Sequence, residues 1–360
     1  MIFNAIFVFF LSFLIFTSEI TACTGILLKA DDESIVTGRT VEFGSDIEMS
    51  VAVIPRNFKF TGNIPNGNGM AYTSKYAAVG IYCFDNKVLM DGMNERGLSA
   101  AAFYFPGFAQ YAKITTDNQT NALSPVEFPN WILTQFATIE EVKAALHSVV
   151  IAPTILSNWG ATPPPMHYIV YDQYGKSIVI EPIHGTLETY ENELGVLTNS
   201  PAYDWHLANL RNFINLTPFN VEPIHLRGLE LAPFGQGAGM VGLPGDFTPP
   251  SRFVRAAIFS AAEIPSKNSD EAVSQAFHIL NQFDIPAGLV RQKDQTSFSV
   301  DYTLLTSVKD PNAMKYYYRS YADQTIRFID LKQFDLDGKT IKSVKAEGMQ
   351  KSFDASSILR

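Results

Sequence analysis

Cys23 stands directly behind an apolar leader, so removal of that leader makes it the first residue of the chain. A cysteine in that position carries two catalytic groups on one residue. Its thiol is a nucleophile, and its α-amine, with a reference pKa of about 7.7–8.0, suits a general base near neutral pH. Two more residues reach it through local pairing alone. Residues 24–30 and 34–40 read as strands around Asp31-Asp32-Glu33, and a hairpin turning near residue 32 sets Cys23 opposite residues 40 and 41. Arg39 and Glu42 then lie beside the thiol and the amine. A permanently charged guanidinium favours thiolate over thiol. An ordinary cross-strand ion pair is the other use of the same two residues.

The leader is residues 1–22. Its apolar part, residues 6–16, is broken only by Ser12 and is too short to span a bilayer, which fits an export signal with a small residue, Ala22, before the cut. The expectation is an exported protein, periplasmic or secreted, with 23–360 as a single catalytic domain. Taking 22 residues from 360 leaves 338, and because Glu19 is the only charged residue removed, the formal net charge moves from −9 to −8. Ile20-Thr21-Ala22-Cys23 also satisfies a lipidation signal, and acylation there would consume both catalytic groups, leaving a lipid-anchored envelope or binding protein.

With 46% hydrophobic and 18% charged residues the chain has material for a large core. It has no basic stripe for nucleic acid, and beyond the leader no apolar run long enough to cross a membrane. A small-molecule substrate is expected. Cys83, the second of two cysteines, lies in the apolar run 77–84 and reads as a buried thiol; a Cys23–Cys83 disulfide would block the nucleophile.

The elements that must position these residues follow in blocks. Strands are expected at 49–54, 76–84 and 97–105, then helices at 128–137 and 142–149, with Thr138-Ile139-Glu140-Glu141 reading as a capping box. Strands return at 167–172, 177–183 and 186–190. Helices follow at 203–213, 252–262 and 269–283, the last with Ala272, Val273, Ala276, Phe277 and Leu280 on one face, and strands close the chain at 299–306, 314–320 and 325–331. Without strict strand–helix alternation, this order predicts an α+β fold of antiparallel sheets covered by helices.

Two patterns lead nowhere. Gly237-Ala238-Gly239-Met240-Val241-Gly242 has dinucleotide-type glycine spacing, but Pro244-Gly245 follows and no helix opens there. The six histidines never take a metal-ligand spacing, so no metal or cofactor is expected, and His206 reads as a packing or surface residue. Phe43, Tyr82, Phe103, Phe105 and Phe108 are candidates for an apolar acyl pocket, although aromatic residues in strands are more often core.

Five segments occur in order: Cys23-Thr24-Gly25; Gly38-Arg39-Thr40-Val41-Glu42-Phe43; Asp91-Gly92-Met93-Asn94-Glu95-Arg96-Gly97-Leu98; Leu197-Thr198-Asn199-Ser200-Pro201; and Gly242-Leu243-Pro244-Gly245-Asp246 with Ser251-Arg252-Phe253-Val254-Arg255. The set resembles the choloylglycine hydrolase family of conjugated bile salt hydrolases and penicillin V acylases, over nearly all of the chain after the leader. The resemblance implies an N-terminal nucleophile hydrolase, a four-layer αββα sandwich with two antiparallel sheets, that cleaves linear amide C–N bonds and is commonly a homotetramer. It places the nucleophile on Cys23, the paired arginine and acid on Arg39 and Glu42, the oxyanion asparagine on Asn199 and the second arginine on Arg252. The main-chain N–H completing the oxyanion hole falls on Tyr104. Tyrosine at 104 and glutamate at 42 depart from many bile salt hydrolases, which carry Asn and Asp there. Penicillin V, acyl-homoserine lactones and conjugated bile salts all fit the implied class of apolar-acyl amide.

Overall fold

The computed structural model describes residues 22–359 apart from 45–46, 66, 84–86, 158 and 294–297; nearly all of the leader lies outside the described residues. The chain opens as the sequence predicts. Cys23–Lys29 pairs antiparallel with Ile35–Phe43, and the register puts Cys23 opposite Val41 and Gly25 opposite Arg39.

This hairpin is one end of an antiparallel sheet that continues through Phe298–Asp310, Lys315–Ser320 and Arg327–Asp330, with Val290–Lys293 added at the start of the long strand. The second sheet is antiparallel throughout, in the spatial order Thr186–Glu191, Ser177–Ile183, Met166–Tyr171, Ser99–Tyr104, Asp91–Asn94, Ala78–Cys83, Met49–Ile54 and Lys342–Lys345. The helices are α1 Phe128–Gln135, α2 Ile139–Ala145, α3 Tyr203–Leu210, α4 Pro249–Ala262 and α5 Ser269–Leu280.

Alternation along the strands builds the layers. In Ser99–Tyr104, Ala101 and Phe103 join a core shared with the first sheet and with α4 and α5, while Ala100 and Ala102 join the core under α1 and α2. A third cluster, including Phe43, Val53, Ile81, Leu305 and Tyr318, fills the space between the sheets farther along. The result is α4/α5, sheet, sheet, α1/α2: the expected αββα sandwich.

The Thr138 cap holds as read, and Asn268 forms one of the same kind on α5. Thr138 Oγ1 accepts from Glu141 N at 3.2 Å and Asn268 Oδ1 accepts from Glu271 N at 3.0 Å. The returning glutamates reach one residue earlier than a standard box, to Ala137 N at 2.7 Å and Lys267 N at 3.2 Å. Among the strands additional to the expectation are Lys59–Ile64 paired with Gly67–Thr73, and Asp91–Asn94. Two are glycine-containing runs without clean alternation, and the third has four residues and is buried throughout. The glycine pattern at 237–242 lies in an irregular stretch holding only the short turn Ala238–Met240. Cys83 ends its strand opposite Met49; its side chain lies outside the described residues.

Gly80 faces Gly92 across the second sheet, where a β-carbon on Gly80 would lie 1.9 Å from Asp91 O. The strands close only because neither residue has a side chain, and that closure sets Asp91 in place. Gly80→Ala is expected to lower unfolding free energy by about 1–3 kcal/mol, as over-packing does. Gly67→Ala, with nothing within 4 Å of the added carbon, serves as the control. Denaturant titration of both variants checks this, and equal stabilities would contradict it.

Candidate active site

Cys23 begins its strand in the interior, 5% exposed, with a free thiol. Arg39 Nη2 donates to its Sγ at 2.9 Å. The same guanidinium donates through Nη1 to Ala102 O at 2.6 Å and through Nε to Thr40 O at 3.2 Å, and lies 4.1 Å above the Phe103 ring. Arg39 is therefore committed to the thiol and to neighbouring carbonyls, and it forms no ion pair with Glu42 among the described residues. Beneath it, Asp91 accepts from Ser307 Oγ at 2.9 Å, from Tyr316 OH at 2.5 Å and from Lys309 Nζ.

Asn199 arrives by sheet-like addition. Gly25 N donates to Leu197 O at 2.8 Å and Leu197 N to Gly25 O at 3.3 Å, so the stretch after Leu197 runs beside Cys23. The Asn199 carboxamide is then fixed at both ends. Its Oδ1 accepts from Cys23 N at 2.8 Å and from Arg252 Nη2 at 2.6 Å, and its Nδ2 donates to Tyr104 O at 2.8 Å. Two donors at one end and an acceptor at the other define which atom is oxygen. Nδ2 carries a second hydrogen, which is what an oxyanion donor needs.

Arg252 sits in the first turn of α4 with no exposed surface, so it is not a solvated side chain. It donates to Cys23 O, to Thr24 Oγ1 at 2.9 Å and, through Nε, to Phe247 O at 2.9 Å. Tyr104 closes its strand beside Asn199, its ring 5.8 Å from that of Trp159.

Glu42 departs from its expected contact. The sequence reading sets it beside the Cys23 nitrogen, but that nitrogen donates to Asn199. Glu42 Oε1 accepts from Thr303 Oγ1 at 3.0 Å, while Oε2 is buried without a hydrogen-bond partner among the described residues. The physical reason is the proton count: with Ala22 attached, Cys23 N is a peptide nitrogen with a single hydrogen, standing where the α-amine of a processed chain would be. The Glu42 main chain is engaged too, its N–H donating to Ala22 O at 2.9 Å.

The electrostatics follow from burial. The Cys23 thiol is pushed up by burial, which outweighs Arg39 and Arg252 pulling it down. In the chain carrying Ala22, Arg39 acts in the expected direction without making the thiol more acidic than usual. Burial pushes Glu42 up to about 8 against the pull of Arg252, and Asp301 up to about 7.

A cavity with about 560 Å³ of empty space, its mouth included, opens over Cys23; Tyr104, Phe43, Trp159, Met49, Met166 and Leu304 are among its mostly apolar walls. Of the aromatic candidates only Phe43 lines it. Phe103 lies under Arg39, Phe105 stacks on His167 at 4.2 Å, Tyr82 bonds Ser343, and Phe108 is exposed. Trp159, which stands 4.9 Å from the Phe43 ring, was not legible because it comes from the irregular connection before Met166–Tyr171. His206 is neither a surface residue nor mere packing: it is fully buried, with Nε2 2.9 Å from Asn199 O. Its only sequence signal is standing seven residues after Asn199.

A buried cysteine heading a strand of an αββα sandwich, with an arginine on its sulfur and a carboxamide on its nitrogen, defines the N-terminal nucleophile hydrolase architecture. The profile of the linear amide C–N hydrolases, choloylglycine hydrolase family, matches residues 23–344, and the chain belongs to that family. It is 37% identical over 325 residues to a bile salt hydrolase/transferase of Clostridium perfringens, covering 90% of this chain and 96% of that protein. A bile salt hydrolase/transferase of Bifidobacterium longum is 31% identical, covering 89% and 99%. Among solved structures, a conjugated bile acid hydrolase from Clostridium perfringens superposes with a TM-score of 0.80 at 33% identity, covering 93% of this chain and all of that one. A penicillin V acylase from Agrobacterium tumefaciens does so with 0.71 at 25% identity, covering 89% and 90%. The chain is thus a hydrolase acting on linear amides.

The raised Glu42 carboxyl has a measurable consequence. Between the ordinary glutamate value of about 4.3 and the folded value, the folded state binds a proton that the unfolded state has lost, so stability falls as pH rises through that window. Glu42→Gln, made in the chain that keeps Ala22, is expected to flatten the decline in denaturant midpoint between pH of about 5 and 8. An unchanged slope would remove Glu42 as its source.

Proposed function

We propose that this protein is an exported N-terminal cysteine amidohydrolase, with leader 1–22 removed and 23–360 left as one catalytic domain. The observation that carries this reading is the grouping of Arg39 on Cys23 Sγ and Asn199 on Cys23 N at the head of an apolar cavity. The burial of Cys23 at the start of a sheet strand argues against a lipid anchor, which needs the cysteine on a free tether.

In the mature chain the α-amine takes the thiol proton, directly or through a water. The thiolate attacks the substrate carbonyl carbon, and the charge on its oxygen is met by Asn199 Nδ2 and the Tyr104 N–H, each worth about 3–4 kcal/mol of barrier. The C–N bond breaks as the amine passes its proton to the leaving nitrogen, leaving an acyl-thioester on Cys23. Water, deprotonated by the amine, then attacks the thioester; the C–S bond breaks and the acid leaves. The unpartnered Glu42 Oε2 is the acceptor suited to the hydrogens that the peptide nitrogen gains on becoming an amine. Arg252, on Cys23 O and Asn199 Oδ1, keeps the two aligned. No cofactor enters any step.

The cavity walls favour an apolar acyl group, and the relatives' names point to penicillin V and conjugated bile salts, with acyl-homoserine lactones of the same chemical form. Processed wild-type protein should hydrolyse at least one of these three classes, and Cys23→Ser should lose nearly all of that activity. Intact mass should show a chain beginning at unmodified Cys23. An acylated cysteine, or full activity in the Ser variant, overturns the reading.

The protein is further proposed to self-associate, as a homotetramer. The hairpin Ile224–Leu226 and Leu229–Leu231 exposes Ile224, Leu226, Leu229 and Leu231, with Phe219 and Phe234 also exposed nearby in the chain. The register sets Ile224 opposite Leu231 and Leu226 opposite Leu229, and an exposed apolar face of this kind calls for a cover. Sedimentation should give an oligomer for wild type and a smaller species for the Leu226→Glu, Leu229→Glu double variant.

A further inference from the structure

Two imidazoles hold the consecutive carbonyls that carry the site asparagine. His167 Nε2 lies 3.1 Å from Thr198 O, and His206 Nε2 lies 2.9 Å from Asn199 O. A carbonyl oxygen only accepts, so in both rings Nε2 bears the hydrogen. His206 Nδ1 is buried with no partner among the described residues, the arrangement of a neutral ring protonated at Nε2 alone. Burial, which pushes His206 down to about 4, keeps it in that form at neutral pH.

Each ring is also tied to another part of the site. His206, on α3, stacks on Phe253 with centroids 4.6 Å apart, and Phe253 directly follows Arg252 on α4. His167 is held by Glu181 Oε1 at 3.1 Å and stacks on Phe105, which directly follows Tyr104. Glu181 Oε1 in turn accepts from Tyr203 N, 3.0 Å away, at the start of α3. The residues flanking Arg252 and Tyr104 thus meet the rings that hold the Thr198–Asn199 main chain.

We propose that His206 is a positioning residue for the hydrolysis: its Nε2–H anchors the Asn199 main chain, so that the carboxamide keeps its oxygen on Cys23 N and Arg252 and its nitrogen toward the reacting carbonyl. The inference rests on the reading of Asn199 as oxyanion donor. His206 touches no substrate atom; it acts through Asn199.

Three variants separate the possibilities. Asn199→Ala tests the underlying reading and should be nearly inactive. His206→Phe keeps an aromatic ring against Phe253 but loses the donor, and its kcat should fall about 100-fold, the scale of a small misplacement at a reacting centre, with KM nearly unchanged. His206→Gln restores an N–H near the Nε2 position and should recover kcat to within about 10-fold of wild type, by the same positional argument. Folding is checked by circular dichroism and thermal melting. Should the Phe variant not fold, His206→Asn replaces it, its shorter amide falling short of Asn199 O. An active Asn199→Ala variant overturns the reading of Asn199 as oxyanion donor, on which the positioning role rests. If Asn199→Ala is inactive, the positioning role is overturned by wild-type kcat in folded His206→Phe (or His206→Asn), by a change confined to KM, or by a Gln variant no better than the donor-less one.

Discussion

Asn199 Oδ1 receives hydrogen bonds from Cys23 N and from Arg252, while Nδ2 of the same carboxamide binds Tyr104 O. This one planar group joins the first strand of one sheet, the start of α4 and the end of a strand in the other sheet. Two buried donors meet at its oxygen, and leaving either unsatisfied would cost about 1–3 kcal/mol, so the three elements are held to one relative placement. For the proposed hydrolysis placement matters more than energy, because an oxyanion donor is useful only where charge develops.

The groups around that carboxamide are almost all buried, and burial sets their charge states. Arg39 lies on the sulfur, yet the thiol is still pushed up in the chain that carries Ala22. Glu42 and Asp301, both hidden from water with oxygens that have no partner among the described residues, are pushed the same way. A charge introduced beside them changes this balance strongly, because little solvent screens it. The proposed conversion of a peptide nitrogen to an α-amine at Cys23 would be such a change.

The fold was legible where periodicity and punctuation agree. The first hairpin has the register that its charged turn at Asp31-Asp32-Glu33 sets between two strand-like runs. The caps at Thr138 and Asn268 likewise stand where local chemistry puts them. The strand Asp91–Asn94 was not legible, since four buried residues leave no period to read. Which aromatics line the cavity was not legible for a related reason: Phe43, Phe103 and Phe105 are equally aromatic and equally strand-borne, but of these three Phe43 faces the space over Cys23.

By itself the sequence determined the first-strand cysteine, the nearness of Arg39 and Glu42 to it, and the order of motifs that marks the family, because each depends on residue type and on short-range pairing. Only the tertiary structure decided the rest. It brought Asn199 and Arg252, 176 and 229 residues away along the chain, onto the Cys23 main chain. It gave the Cys23 nitrogen to Asn199 rather than to Glu42, and turned His206 from a helix residue into a support for that asparagine. Side-chain direction and burial arise from the packing of two sheets and their helices, and no local pattern carries them.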